Sequence, residues 1–166
     1  MHLKKIFTLL FLITFAFQAN ANTPKSTGKY KNWESFSMQT EKGKVCFAQT
    51  VPTKRSPSTI KRKDSRLFVT FRPGENIRDE ISLTSGHNYK TSSVNVKSGK
   101  NSFSFFSQNN FAWLLDSKEE QGLIKVMKRA TNLIVKARTD KGAETTDHYS
   151  MMGFTKAYNT AKKICG

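Results

Sequence analysis

Histidine is scarce in this chain of 166 residues, with three in all, and cysteine scarcer still, with two. His2 lies in the N-terminal segment ahead of the first apolar run, which export would remove, leaving His87 and His148, and no pair of histidines stands at a zinc-binding spacing. Two cysteines cannot supply an all-thiolate metal site, and their separation from position 46 to 165 excludes a Cys-x-x-Cys redox motif. Acid is short as well: 12 Asp and Glu stand against 28 Lys and Arg. Carboxylates this sparse and scattered nominate no glycosidase pair. The chain has no phosphate-cradling glycine loop and no nucleophile elbow. Asp147-His148-Tyr149-Ser150 holds the letters of a hydrolase triad, but strand neighbours point to opposite faces, so Asp147 cannot orient the His148 ring. The sequence therefore supplies no catalytic residue, no metal ligand set and no cofactor motif, and the expectation is a protein that is not an enzyme.

What is present begins with "MHLKKIFTLLFLITFAFQANA". Lys4 and Lys5, an apolar run from Ile6 to Phe17, and Ala19 and Ala21 around Asn20 make the three parts of a secretory signal. The run is ~12 residues, whereas a bilayer-spanning helix needs about 20. Cleavage after Ala21 is expected, giving an exported chain without a further transmembrane segment, in the periplasm or at the cell surface. About 145 residues then remain, enough for one core. The formal charge is +16, or +14 once Lys4 and Lys5 are gone. In an exported protein such a bias favours an anionic envelope or host-surface partner, whether glycan, lipopolysaccharide or protein, and makes nucleic acid a remote third.

Residues 22–32 are polar and are expected to form a flexible leader before a single domain over 33–166. Trp33 to Gln39 alternates, "TEKGK" turns, and "KVCFAQTV" returns with Val45, Phe47, Gln49 and Val51 on one face and Cys46, Ala48 and Thr50 on the other. The next stretch, "PTKRSPSTIKRKDSR", cannot be core. It carries Lys54, Arg55, Lys61, Arg62, Lys63 and Arg66 against Asp64 alone, and reads either as a mobile basic loop that meets the anionic partner, the reading taken forward, or as a solvated linker that keeps the chain soluble. "RLFVTF" is apolar on both faces, as a central strand would be. From Asp79 to Leu115 short alternating runs and turn residues recur at the spacing of a sandwich or barrel.

Two helices interrupt. "DSKEEQGLIKVMKRA" offers Asp116 or Ser117 as N-cap, with Leu123, Ile124 and Met127 on one face. The second is expected from about Ser150, with Met151, Phe154, Ala157, Tyr158, Ala161 and Ile164/Cys165 on one apolar stripe. Export makes bridging the default for an even cysteine pair, so a Cys46–Cys165 disulfide is expected, stapling the last helix to the first hairpin.

Several segments, taken in order, carry a resemblance: Trp33, then Cys46 followed by Ala48-Gln49; "RLFVTFRPGENIRDEISLTSGHNYK"; Ala112-Trp113; "LIKVMKRATNLIVKA"; and "KGAETTDHYSMMGFTKAYNTAKKIC". Together they resemble the invasion-associated locus B family of alphaproteobacterial exported proteins, over nearly all of Trp33 to Cys165. The resemblance implies an immunoglobulin-like β-sandwich with a short internal helix and a C-terminal helix, without catalytic activity. It brings no site residues. Many members carry a further cysteine soon after the first Trp, where this chain has Ser35 and Ser37. Two functional readings follow: a module that binds an anionic surface through the basic loop, or an envelope chaperone or inhibitor that recruits another chain by an edge strand. Salt separates them, since only charge-driven binding collapses with ionic strength.

Overall fold

The computed structural model describes residues 23–165; the signal segment expected at 1–21 lies outside the described residues. The chain runs β1 (Lys25–Tyr30), β2 (Trp33–Thr40), β3 (Gly43–Thr50), β4 (Lys54–Ser56), β5 (Arg66–Arg72), a 3-10 turn (Pro73–Glu75), β6 (Ile77–Thr84), β7 (Val94–Ser98), β8 (Asn101–Gln108), β9 (Phe111–Trp113), α1 (Ser117–Met127), β10 (Asn132–Arg138), β11 (Glu144–Ser150) and α2 (Phe154–Cys165).

All pairings are antiparallel, in the order β1-β2-β3-β5-β6-β9-β8-β7-β10-β11-β4. β8 divides this order into two layers. Its first five residues pair with β7, and Phe106 to Gln108 pair with β9. The result is a mainly β sandwich with an internal helix and a C-terminal helix, the class expected from the turn spacing. Alternation decides what each layer buries. Trp33, Cys46, Ala48, Leu67, Val69, Ile81 and Leu83 come from one layer and Val94, Val96, Leu133, Val135 and Tyr149 from the other, in a single core. β5 is central as expected, between β3 and β6.

Three differences from expectation have local causes. The polar leader supplies β1: it has no apolar pattern, but its backbone pairs with β2 and Tyr30 reaches Thr160 of α2 through its hydroxyl at 2.9 Å. The expected meander is broken after β6. Its neighbour is β9, because residues 85–93 cross to the other layer, where Tyr89 is buried and bridges Thr139. α2 starts four residues later than Ser150. Gly153 holds φ of 96°, and a Cβ there would sit 1.8 Å from the Tyr30 carbonyl oxygen, so the chain turns at a glycine before the helix begins.

α2 lies against β1, β2, β3 and β5, burying Phe154, Ala157, Tyr158 and Ala161. Phe154 meets Trp33 edge-on at 4.8 Å between centroids. At the far end of the helix Cys165 is bonded to Cys46, with Cα atoms 5.8 Å apart. The staple read from the sequence is in place. α1 packs on β6 and β8; Asp116 is its N-cap, accepting from the Lys118 and Glu119 amides. Glu120 takes no part in capping. It is buried and accepts from the Ile81 amide at 3.2 Å.

Candidate anion-binding cleft

The basic stretch 54–66 divides by residue type. Its lysines point outward. Lys54 sits on β4 opposite His148, exposed, while Lys61 and Lys63 are exposed on the wall of an open cleft of ≈ 950 Å³. The cleft is completed by Asp64, Thr84, Gly86, His87, Asn88 and Asn110. Asp64 is turned to Arg66 at 3.3 Å. None of Lys54, Lys61 and Lys63 enters an ion pair among the described residues.

The arginines are bonded within the fold; Arg62 corrects the expectation that all six cations face a partner, while Arg55 and Arg66 stay half-buried. Arg62 is the clearest case. Its side chain is 2% exposed and its Nη1 stands 2.8 Å from Oδ1 of Asp147, itself fully buried. The same nitrogen donates to Asp147 Oδ2 at 3.0 Å and to the Ser85 carbonyl at 3.2 Å. A guanidinium suits this position because it is more weakly hydrated than an ammonium; only its Nη1 is bonded, and Nη2 is buried without a hydrogen-bond partner among the described residues. Arg55 donates to the Lys63 carbonyl at 2.6 Å. Arg66 donates to Gln49 and Asp64, both at 3.3 Å. The stretch is thus not free along its length: β4 is paired to β11, and Arg62 pins the return segment between the layers.

Gly86 fixes the cleft floor. Its carbonyl accepts from the Lys63 amide at 2.9 Å, and with φ of 74° a Cβ would lie 2.1 Å from the Lys63 carbonyl oxygen. Only glycine allows this approach of the two backbones. His87 adds no charge at neutral pH, since burial holds its ring below the ordinary imidazole range. Its Nδ1 lies 2.8 Å from the Asn88 carbonyl and its Nε2 3.0 Å from the Thr145 hydroxyl, which suits a neutral ring donating from Nδ1 and accepting at Nε2. The cleft's positive potential therefore comes from Lys61 and Lys63.

Around the edge of the fold, the outward face of the β7-β10-β11-β4 layer continues the same sign. Register sets Lys97 opposite Ile134, Ile134 opposite His148 and His148 opposite Lys54, with Lys136 beside them. Arg138 is neutralised by Glu144. Asp147 points inward and His148 outward, as strand alternation required. Among the described residues no three His, Cys, Asp or Glu side chains are grouped to hold a metal ion, and no helix is long and apolar enough to cross a membrane.

The cleft walls from 84–88 and from Asn110 were not found from the sequence, because they join the basic stretch only through the crossover after β6. Known proteins add nothing here: no family model, no curated protein and no solved structure matches the chain.

Proposed function

We propose that this is a non-enzymatic exported protein of the invasion-associated locus B type, acting in the periplasm or at the cell surface, that binds an anionic envelope or host-surface component. One observation carries the reading: Lys54, Lys61 and Lys63 stay exposed and outside any ion pair among the described residues, while Arg62 between them is buried against Asp147. Their ammonium groups make no hydrogen bond or ion pair among the described residues. The surplus positive charge is thus offered to solvent at a polar, open cleft, where an anion gains from two ammonium groups without desolvating a buried pair. The Cys46–Cys165 bond supports an oxidising compartment.

Both free edges speak against the edge-strand alternative. β4 is three residues long and is followed by Pro57, and β1 carries a bulge between Ser26 and Gly28 flanked by Lys25 and Lys29. Short strands, proline, bulges and lysines are the devices by which sheets refuse an added strand.

Titration of the mature protein with a sulfated oligosaccharide at low and high salt tests the reading. Binding should fall by an order of magnitude or more between about 20 and 300 mM salt, as Debye screening shortens. Binding indifferent to salt would refute a charge-driven partner.

A further inference from the structure

The outward face of the β2-β3-β5-β6-β9-β8 layer carries apolar side chains that neither helix covers. Phe106 is 40%, Phe111 41% and Leu115 75% exposed. Phe106 stands edge-on to Trp113 at 5.5 Å between centroids. Alternation along β9 places Phe111 and Trp113 on one side, β8 pairing sets Phe106 against Trp113 on that same side, and the exposed Leu115 follows two residues after the strand, at a bend. This patch is continuous with the cationic cleft. β6 pairs Ser82 with Trp113 and Leu83 with Ala112, so the next step of the register sets Phe111 beside Thr84. Thr84 lines the cleft, as does Asn110, the residue before Phe111. Lys61 and Lys63 thus stand at one border of an exposed aromatic and aliphatic cluster.

We infer that the two halves form one docking surface for an anionic lipid bilayer, deepening the reading of the cleft as an anion site, on which this inference rests. A soluble polyanion would use the lysines alone and leave Phe106, Phe111 and Leu115 in water. A bilayer with anionic headgroups uses both. Lys61 and Lys63 meet headgroup phosphates, each contributing to attraction that fades within a Debye length. Phe111 and Leu115 enter the headgroup–acyl boundary, and Trp113 sits at the level where amphipathic rings collect. Asp64, the acid in the cleft wall, is held by Arg66, so it does not oppose the approach. The contact is peripheral and reversible, because the patch is a few side chains at a hairpin.

Trp113 also provides the readout. It is one of two tryptophans, and Trp33 is fully buried in the core. The mature protein is mixed with vesicles of phosphatidylcholine alone, or of phosphatidylcholine with a quarter phosphatidylglycerol, and followed by co-sedimentation and Trp emission. A sulfated oligosaccharide serves as the soluble anion. The wild type should partition onto the anionic vesicles with a blue shift, and at least about tenfold less onto the neutral ones. Phe111→Ser with Leu115→Ser should lower partition onto anionic vesicles by about tenfold or more, as loss of two partly buried apolar side chains requires, and leave oligosaccharide affinity within about twofold. Lys61→Gln with Lys63→Gln should weaken both. Equal partition onto the two vesicles, or a double apolar variant that binds anionic vesicles like the wild type or loses both probes together, overturns the bilayer inference. Wild-type protein that binds neither probe overturns the anion reading beneath it.

Discussion

Opening the Cys46–Cys165 bond should cost the domain much of its stability without unfolding it outright. The cysteines are 119 residues apart, so the bond closes a loop over most of the described chain. The chain-entropy relation for a loop of that length gives roughly 5 kcal/mol at 25 °C. A compact denatured ensemble already loses part of that freedom, which lowers the expected loss to about 3–4 kcal/mol. Packing that survives reduction keeps the protein folded: Phe154, Ala157, Tyr158 and Ala161 remain docked, and the Trp33 indole N–H still donates to the Ser150 carbonyl at 2.9 Å. For a domain of this size the loss corresponds to a fall in Tm of roughly 10–15 °C. Guanidinium melts of oxidised and reduced protein, and of Cys46→Ala with Cys165→Ala, supply the test. The midpoint should fall, and the slope should steepen because the released unfolded chain exposes more surface. A loss below about 1 kcal/mol with an unchanged slope would refute the idea that the staple acts by constraining the unfolded chain.

The remaining predictions concern single positions. Arg62→Met leaves the buried Asp147 carboxylate unpaired and should cost about 3–5 kcal/mol in a denaturant melt, whereas adding Asp147→Leu should recover most of it; Lys61→Gln should stay within about 0.5 kcal/mol of wild type. Burial pushes Glu120 up to about 7 from an ordinary 4.5, with Glu80, Asp79 and Asp116 adding repulsion. Between those values the folded chain holds a proton the unfolded chain has released, so stability should fall as pH rises from about 4.5 to 7 and then level off. Glu120→Gln keeps an acceptor for the Ile81 amide and should flatten that slope; melts at pH 5 and 8 that differ equally in both proteins would contradict it. Gly153→Ala drives a methyl into the Tyr30 carbonyl and should lower Tm by several degrees, reporting on the β1–α2 junction independently of the disulfide.

Periodicity made most of the sandwich legible. Alternation grouped Cys46, Ala48 and Thr50 on one face of β3 without saying that this face, rather than the more apolar one with Val45 and Phe47, is buried; β5, apolar on both faces, is central, and Asp116, one of two candidate caps, caps α1. Long-range pairing was not legible in the same way. β1 has no apolar alternation and exists because β2 offers it a backbone partner. Arg62 lies in an irregular segment, where no period tells inside from outside. The available signal was on the other strand: Asp147 has the inward parity of β11, and an inward carboxylate needs a buried cation. The cleft was harder still. Its walls come from 61–64, 84–88 and Asn110, and only the crossover from β6 to the other layer brings them together.

On the proposed reading, free lysines, not the basic stretch as a whole, receive an anionic partner. The most direct test is the salt dependence of sulfated-oligosaccharide affinity in wild type and in Lys54→Gln, Lys61→Gln, Lys63→Gln together. The triple variant should bind at least about tenfold more weakly at low salt, with a visibly flatter dependence on salt, while its melting temperature stays within a degree or two of wild type. A triple variant that binds as tightly, with the same salt dependence, would contradict the account.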